Sequence, residues 1–301
     1  MDENNTDLSL QQQEVQQEKQ EEKQHEKYDL FNTDELAELY SKYQPPLDEK
    51  VIEIILSSTR GRDCLVDIGC GSGSSTRPFC SHFSKVVGVD YSPAQINLAK
   101  SLSQQTSNVQ FVQGSMYELP LADSSIDCII GVMIAQFIDL PKLFEEAKRV
   151  LKPGGVLLFH GKGSPKVVQI ERETETKSET ETTISDLNER IAYIKTGLFA
   201  GLFHDRTYFN PHKYSNIPPL HADQEIARVE WTSARWTTLP DLADYMLTWS
   251  AAGKYCAKHG ISSSELRRKM IEVLEGGDKG VCRVRCEADR FTWTARHVTG
   301  S

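Results

Sequence analysis

The segment CLVDIGCGSGSST, residues 64–76, constrains this chain more than any other. A short apolar run carrying Asp67 passes straight into a turn with glycine at positions 69, 71 and 73. Glycine reaches backbone conformations closed to other residues and lets a ligand approach the main chain. A strand that enters such a turn and leaves it as a helix offers unpaired N–H groups to that ligand. GxGxG alone is a weak signal, so its neighbours decide its meaning. The dinucleotide fingerprint wants Gly or Ala at its sixth position, where this chain has Ser74.

The pattern around the turn alternates. Apolar runs predict strands at 64–69, 86–90, 109–113, 126–133 and 155–160, with helices at 74–83, 93–105 and 141–151 between them. The runs are nearly continuous, as in strands buried on both faces. Alternating strand and helix with short links implies a parallel, doubly wound α/β sheet. Two helices should precede it, at 33–43 behind an N-cap threonine and at 47–58 after a Gln-Pro-Pro break.

Beyond Lys162 the rhythm fails. The Glu/Thr-rich stretch 171–183 reads as a mobile loop, 184–203 as a helix, and 204–221 as a loop rich in aromatics, His and Pro. A strand at 225–236, helices at 239–260 and 262–277, and a closing strand at 282–297 complete the reading. The expected organisation is a disordered acidic tail over 1–28, a core over 29–162, and a lid with sheet-completing strands over 163–301.

Charge narrows the function classes. The net charge is −9, of which residues 1–28 hold −5 and residues 171–181 hold −3, so the body is nearly neutral. It lacks the basic footprint of a nucleic-acid binder. Seven scattered cysteines without a CxxC pair point to reduced thiols in a cytoplasmic protein and give no metal site. The polar N-terminus is no secretory leader, and no apolar run approaches the roughly 18 residues of a membrane span.

Asp67 would repel a pyrophosphate lying over the turn and suits a cationic ligand. Asp90, which ends VVGVD at 86–90, stands where a carboxylate accepts both hydroxyls of a ribose. Positive charge, a ribose and no pyrophosphate describe S-adenosylmethionine. LVDIGCGSGSST resembles the first motif of class I S-adenosylmethionine-dependent methyltransferases, and VVGVDYSPAQINLAK (86–100) resembles their second. VQFVQGSMYELPLADSSIDCIIGVMIAQFID (109–139) and LFEEAKRVLKPGGVLLF (143–159) continue the likeness through the fifth strand. The resemblance covers about 60–162. It implies a Rossmann-like, seven-stranded, mostly parallel sheet with an antiparallel closing strand and a helical lid. The flanks, with LYSKYQPPLDEKVIEIIL before the core and HKYSNIPPL and the Thr248-Trp249-Ser250 helix after it, resemble a subgroup of that family. The subgroup includes trans-aconitate methyltransferase and the yeast cantharidin-resistance methyltransferase.

By this resemblance Asp67, Gly69, Gly71 and Gly73 face the amino-acid end of the cofactor and Asp90 its ribose. Ser115 and Met116 meet the adenine, although the family often has an acid where Ser115 stands. Tyr91 packs on the adenosine, Tyr43 closes over the cofactor from the N-terminal helix, and Met133 and Gln136 lie beside it. Each aromatic could equally be ordinary packing. Phe137 and His160, at the sheet's C-terminal edge, are candidate substrate contacts, because open α/β sheets bind ligands along that edge. His204, Arg206 and Tyr208 belong to the expected lid, with Arg206 the natural grip for a carboxylate. Trp231, Trp236 and Trp249 suit core packing better than a pocket.

Methyl transfer from a sulfonium needs alignment and exclusion of water more than it needs a base. A pre-ionised acceptor such as a carboxylate needs none, and no Lys–Asp or His–Asp pair stands out, so no catalytic residue is assigned. The expected function is methyl transfer to a small molecule, with a small organic acid as the candidate acceptor. The alternatives are a methyltransferase for protein or RNA and a non-catalytic cofactor-binding protein.

Overall fold

Four nearly continuous apolar strands cannot sit at a surface, and they lie inside one sheet with a fifth, half-exposed strand at its edge. A computed structural model describes residues 33–172, 182–203, 213–220, 226–278 and 280–297. Strand β1 (Cys64–Ile68) is buried along its whole length. It pairs in parallel with β2 (Lys85–Asp90) on one side and with β4 (Ile126–Val132) on the other. β3 (Val109–Gln113) lies outside β2, and β5 (Leu151–Lys162) lies beside β4, all parallel.

Among the described residues the sheet has eight strands where seven were expected. The added one is β6 (Lys166–Arg172), hidden in the sequence because its KVVQIER pattern buries a single valine, Val167. The closing strand β8 (Val281–Arg296) runs antiparallel. Its C-terminal half pairs with β5 and its N-terminal half with β6. β7 (Ile226–Thr237) runs along the other side of β8. The order is β3-β2-β1-β4-β5-β8-β6, with β7 off that path.

Helices flank this sheet: α1 (Asp34–Tyr43), α2 (Glu49–Ser58), α3 (Pro93–Ser101) and α4 (Leu140–Val150). Ser92 caps α3, with Pro93 at the first helical position, where a missing N–H does no harm. The helix expected at 74–83 is only a 3-10 turn, Arg77–Ser81, starting with Pro78 in its first two positions. Two aliphatic clusters fill the faces of the sheet. One centres on Val66, Val87, Ile129 and Leu157, the other on Leu65, Val86, Ile130 and Leu158.

A third cluster belongs to the cap. α5 (Ile184–Tyr193), α6 (Leu239–Leu247), α7 (Ser250–His259) and α8 (Ser263–Glu275) pack Leu187, Leu242, Met246, Leu266 and Met270 against Val167 and Val284. α5 passes into a π-turn over Ile194–Leu198. The single helix expected over 239–260 is two. The Thr248 hydroxyl donates to the Tyr245 carbonyl at 2.6 Å, and Trp249 is extended, so the chain turns between α6 and α7. The expected tail, most of the Glu/Thr-rich loop and the lid residues His204, Arg206 and Tyr208 lie outside the described residues. Among the described residues no helix is long and apolar enough to cross a membrane, and no cluster of potential metal ligands is found.

Candidate functional site

The site starts where β1 stops. Gly69, Gly71 and Gly73 all take positive φ, at 64°, 53° and 79°. The Gly69 and Cys70 amides both donate to the Val89 carbonyl, so the turn is sewn to the end of β2. Space is as restrictive as φ. A methyl at Gly69 would lie 1.8 Å from Ile134 Cδ1, and one at Gly73 would lie 2.6 Å from Phe111 Cζ.

Two carboxylates flank this turn. Asp90 Oδ2 accepts the Gly71 amide at 2.8 Å, and its Oδ1 accepts the Ser92 amide at 2.9 Å. Burial pushes the Asp90 carboxyl up, against the pull of those amides. Asp67 is fully buried, and its Oδ2 accepts the Ser75 and Thr76 hydroxyls, each at 2.7 Å. Its Oδ1 has no hydrogen-bond partner among the described residues. Burial lifts its pKa to about 7, although both hydroxyls pull down, and Asp90 adds to the rise. Ser75 and Thr76 were not singled out in the sequence. Their signal is the run of hydroxyls closing GSGSST, within reach of the preceding acid once the turn folds back. Gln95 on α3 is another addition. It is buried, its Oε1 lacks a partner among the described residues, and it lies 3.5 Å from where a Gly71 methyl would stand.

The far wall comes from β4 and its turn. Met133 holds φ of 58°, a left-handed conformation that is uncommon outside glycine and clusters at functional sites. Its amide donates to the His160 carbonyl at 2.8 Å, and its carbonyl accepts Gln136 Nε2 at 2.8 Å. Gln136 is buried, with its Oε1 accepting the Tyr214 hydroxyl at 3.2 Å. Phe137 ends the same 3-10 turn and is half-buried. Ser115 is exposed beyond β3, and its hydroxyl accepts the Tyr117 amide at 3.1 Å. Met116 packs on the sheet's core, and Tyr91 is exposed.

His160 ends up among packing groups. Its ring stacks on Trp231 at 5.8 Å, and its Nδ1–H donates to the Phe291 carbonyl at 3.1 Å. Burial first, then Arg290 and Lys162, push its pKa down to about 3, so it stays neutral at any ordinary pH.

The N-terminal helix carries Tyr40 as well as Tyr43. Burial raises the Tyr40 phenol, and Tyr245, Asp90 and Asp67 raise it further. Helix α1 itself packs against both α3 and α6. Tyr43 carries Lys42 over its ring at 4.9 Å. The two tyrosines are three residues apart, so both lie on one side of the helix and the sequence does not distinguish them.

Past α1, Gln44 links cap to sheet. Its Nε2 donates to Thr248 Oγ1, and its Oε1 accepts Lys162 Nζ, both at 2.8 Å. Lys162 also lies 4.7 Å from the Tyr245 ring centroid. Burial lowers the Lys162 ammonium. Burial would raise the Tyr245 phenol, yet Lys162 and Trp249 outweigh it.

Residues 66–159 match a family model described as a methyltransferase domain. A Dictyostelium discoideum protein described as a methyltransferase is 31% identical over 133 residues, covering 44% of this chain and 49% of its own. A malonyl-[acyl-carrier protein] O-methyltransferase of Serratia marcescens is 30% identical over 105 residues, covering 35% and 40%. A Saccharomyces cerevisiae protein described as a probable S-adenosylmethionine-dependent methyltransferase, CRG1, is 26% identical over 125 residues, covering 40% and 43%. The chain thus spans about half, or less, of these relatives. A solved Anaeromyxobacter dehalogenans structure described as a type II methyltransferase superposes with a TM-score of 0.65 at 18% identity, over 86% of this chain and 100% of the other. That likeness establishes the fold.

Proposed function

Residues 66–159 are a methyltransferase domain of the class I, S-adenosylmethionine-dependent kind, and on that premise we propose that the protein transfers a methyl group to a small-molecule acceptor, a small organic acid. One observation carries the reading. A buried carboxylate with an unpartnered oxygen, Asp67, and a second carboxylate, Asp90, flank a turn of three positive-φ glycines at the sheet's C-terminal edge.

The residues present fit the cofactor. An ionised carboxylate has about four lone-pair positions. Asp90 uses three of them on the amides of Gly71, Tyr91 and Ser92, which leaves one for a ribose hydroxyl. Asp67 Oδ1 suits the cofactor's ammonium, directly or through water. Gly69, Gly71 and Gly73 let the main chain approach it. Tyr91, Ser115 and Met116 are assigned to the adenosine, and Met133 and Gln136 to the sulfonium end. Tyr40 closes this site from α1, with Tyr43 behind it.

When bound, the cofactor supplies an electrophilic methyl whose C–S bonding pair leaves with sulfur as an acceptor lone pair arrives, so a carboxylate becomes a neutral ester and no proton moves. The chain's task is then alignment and exclusion of water. Tyr40, Gln44 and Tyr245 join α1 and α6 over the edge of the sheet and serve that exclusion. Phe137 is assigned to the acceptor's apolar part, and His204, Arg206 and Tyr208 remain proposed acceptor contacts. Seven free thiols support a reducing compartment such as the cytoplasm.

The test is twofold. Calorimetric titration should show one site for S-adenosylhomocysteine per chain. Labelled methyl from S-adenosylmethionine should appear in small acids rather than in protein or RNA. A chain that binds no S-adenosylhomocysteine refutes the reading, and label confined to macromolecules refutes its small-molecule part.

A further inference from the structure

Antiparallel register gathers three cations that lie far apart in sequence. Lys162, the last residue of β5, stands opposite Arg290 of β8, and Arg290 stands opposite Trp231 of β7. Side chains alternate along a strand, so Trp231, Ser233 and Arg235 share one face of β7, while Cys286, Ala288 and Arg290 share that face of β8. With Lys162, all of these except Trp231 floor a cleft of about 50 Å³, roofed by Leu242 and Tyr245 of α6 and walled by Pro45. That is room for a few waters or one small oxyanion. A broader hollow lined by Asp186, Glu189, Arg190 and Tyr193 lies along α5 alone and gathers no such set.

The cleft has an excess of positive charge. Its single acid, Glu287, is already 3.6 Å from Arg285. Arg290 pairs loosely with Asp48 at 3.9 Å, and its Nη1 donates to the Asp289 carbonyl at 3.4 Å. Lys162 and Arg235 form no ion pair among the described residues. Lys162 Nζ has Gln44 Oε1 at 2.8 Å, and the Arg235 guanidinium lies 5.5 Å from the Tyr245 ring centroid. A partly buried cation such as Lys162 without a carboxylate partner is costly and persists where something else compensates it. A cleft lined by one sign of charge also concentrates the opposite sign.

We propose that Lys162, Arg235 and Arg290 form an oxyanion-binding subsite that anchors a carboxylate or phosphate of the acceptor, and that this anchored group is not the one methylated. The inference rests on the methyltransferase reading and names how its acceptor is held. Two physical arguments separate anchor from acceptor. Oxygens that accept from an ammonium and two guanidiniums have their lone pairs engaged and are poor nucleophiles. A sulfonium is itself cationic, so it is repelled from this cleft and favoured toward Asp67 and Asp90. Helix α1 packs against both α6, which roofs the cleft, and α3, which follows Asp90, so it bridges the two regions. The acceptor therefore spans from the cleft to the glycine turn and carries at least two functional groups, one held and one methylated.

The test uses the full chain and two probes, citrate and inorganic phosphate, with S-adenosylhomocysteine titrated separately. Arg235→Ala is at an exposed position and should fold, and Lys162→Met keeps the length of the side chain. The expected result is that citrate, phosphate or both bind wild type, that each substitution weakens this at least tenfold, and that S-adenosylhomocysteine affinity stays within twofold. Whichever probe binds tells carboxylate from phosphate. Equal probe binding in wild type and variants, or none to wild type, overturns the subsite. With an acid that is turned over, both variants should raise KM at least tenfold while kcat stays within about threefold. A collapse of kcat at unchanged KM would mean that methylation occurs in the cleft, and the anchor assignment would be wrong. A wild type that binds citrate through Lys162 but binds no S-adenosylhomocysteine refutes the methyltransferase reading and upholds the anion site.

Discussion

Asp90 Oδ2 accepts the amide of Gly71 at 2.8 Å, so the carboxylate that ends the second strand also sets the turn that follows the first. Asp90→Ala removes that tie together with the partner proposed for the ribose. Hydrogen bonds to a charged group contribute about 1.5–3 kcal/mol each. S-adenosylhomocysteine affinity should fall at least tenfold and the melting temperature by several degrees. Unchanged affinity in calorimetry would remove Asp90 from the cofactor site.

Asp67 makes cofactor binding depend on pH. Its folded pKa, about 7, lies above the roughly 3.9 of a free aspartate. The folded state therefore binds more protons between about pH 4 and 7, and the stability of the free protein falls as pH rises through that window. A cationic ligand favours the ionised form, so its binding expels a proton near pH 6–7. Affinity should climb from pH 5.5 to 7.5 and then level off. Calorimetry in two buffers of different ionisation heat should detect the released proton. Asp67→Asn should flatten both the stability slope and the affinity slope, whereas a wild type with pH-independent affinity would contradict the assignment.

Gly69 is held by space as well as by φ. In Gly69→Ala the new methyl meets Ile134 Cδ1, the flexible end of a side chain, and the backbone stays left-handed. The left-handed region costs a residue with a Cβ about 1–2 kcal/mol, which no neighbour can relieve. Adding Ile134→Val removes the clashing atom. The double variant should melt higher than Gly69→Ala and lower than wild type. If it melts no higher than the single variant, Ile134 does not set the constraint.

What the sequence disclosed followed from burial. β1, β2, β4 and most of β5 are covered on both faces, so they wrote themselves as apolar runs. β6 buries one valine, is charged at both ends, and runs into the acidic stretch at 171, so its short pattern gave no strand signal. The two aspartates were legible because each ends a strand beside the glycine turn. Ser75 and Thr76, the partners of Asp67, and Tyr40 beside Tyr43 depend on how a turn folds back and how a helix is rotated. The cleft was illegible for a stronger reason. Lys162, Arg235 and Arg290 meet only through the antiparallel register of β5, β7 and β8, and no local pattern encodes contact across more than a hundred residues.

The cap depends on one buried acid. Asp278 is 1% exposed and accepts from Arg172 Nη1 at 2.8 Å, from the Thr182 amide at 2.9 Å, and from the Gly280 amide at 2.9 Å. It thereby joins the end of β6, the entry to α5 and the entry to β8. Burial alone would raise its carboxyl, but Arg172 and the two amides outweigh burial and hold it well below the usual carboxylate range. A depressed carboxyl stabilises the fold above its unfolded pKa of about 3.9 and loses that contribution as pH falls through its folded value. Asp278→Asn leaves an amide facing donors, and breaking a buried pair costs about 3–5 kcal/mol. In a chain of this size each kcal/mol moves the melting temperature by about 2–4 °C, so a fall on the order of 10 °C is expected at pH 7. The gap between wild type and variant should narrow below about pH 4, where the wild-type carboxylate begins to lose its advantage. Cofactor affinity should change little, since Asp278 serves the cap and not the glycine turn. Thermal melts from pH 3 to 7 measure all of this, and a gap that stays constant with pH would show that the ionised carboxylate is not what holds the cap.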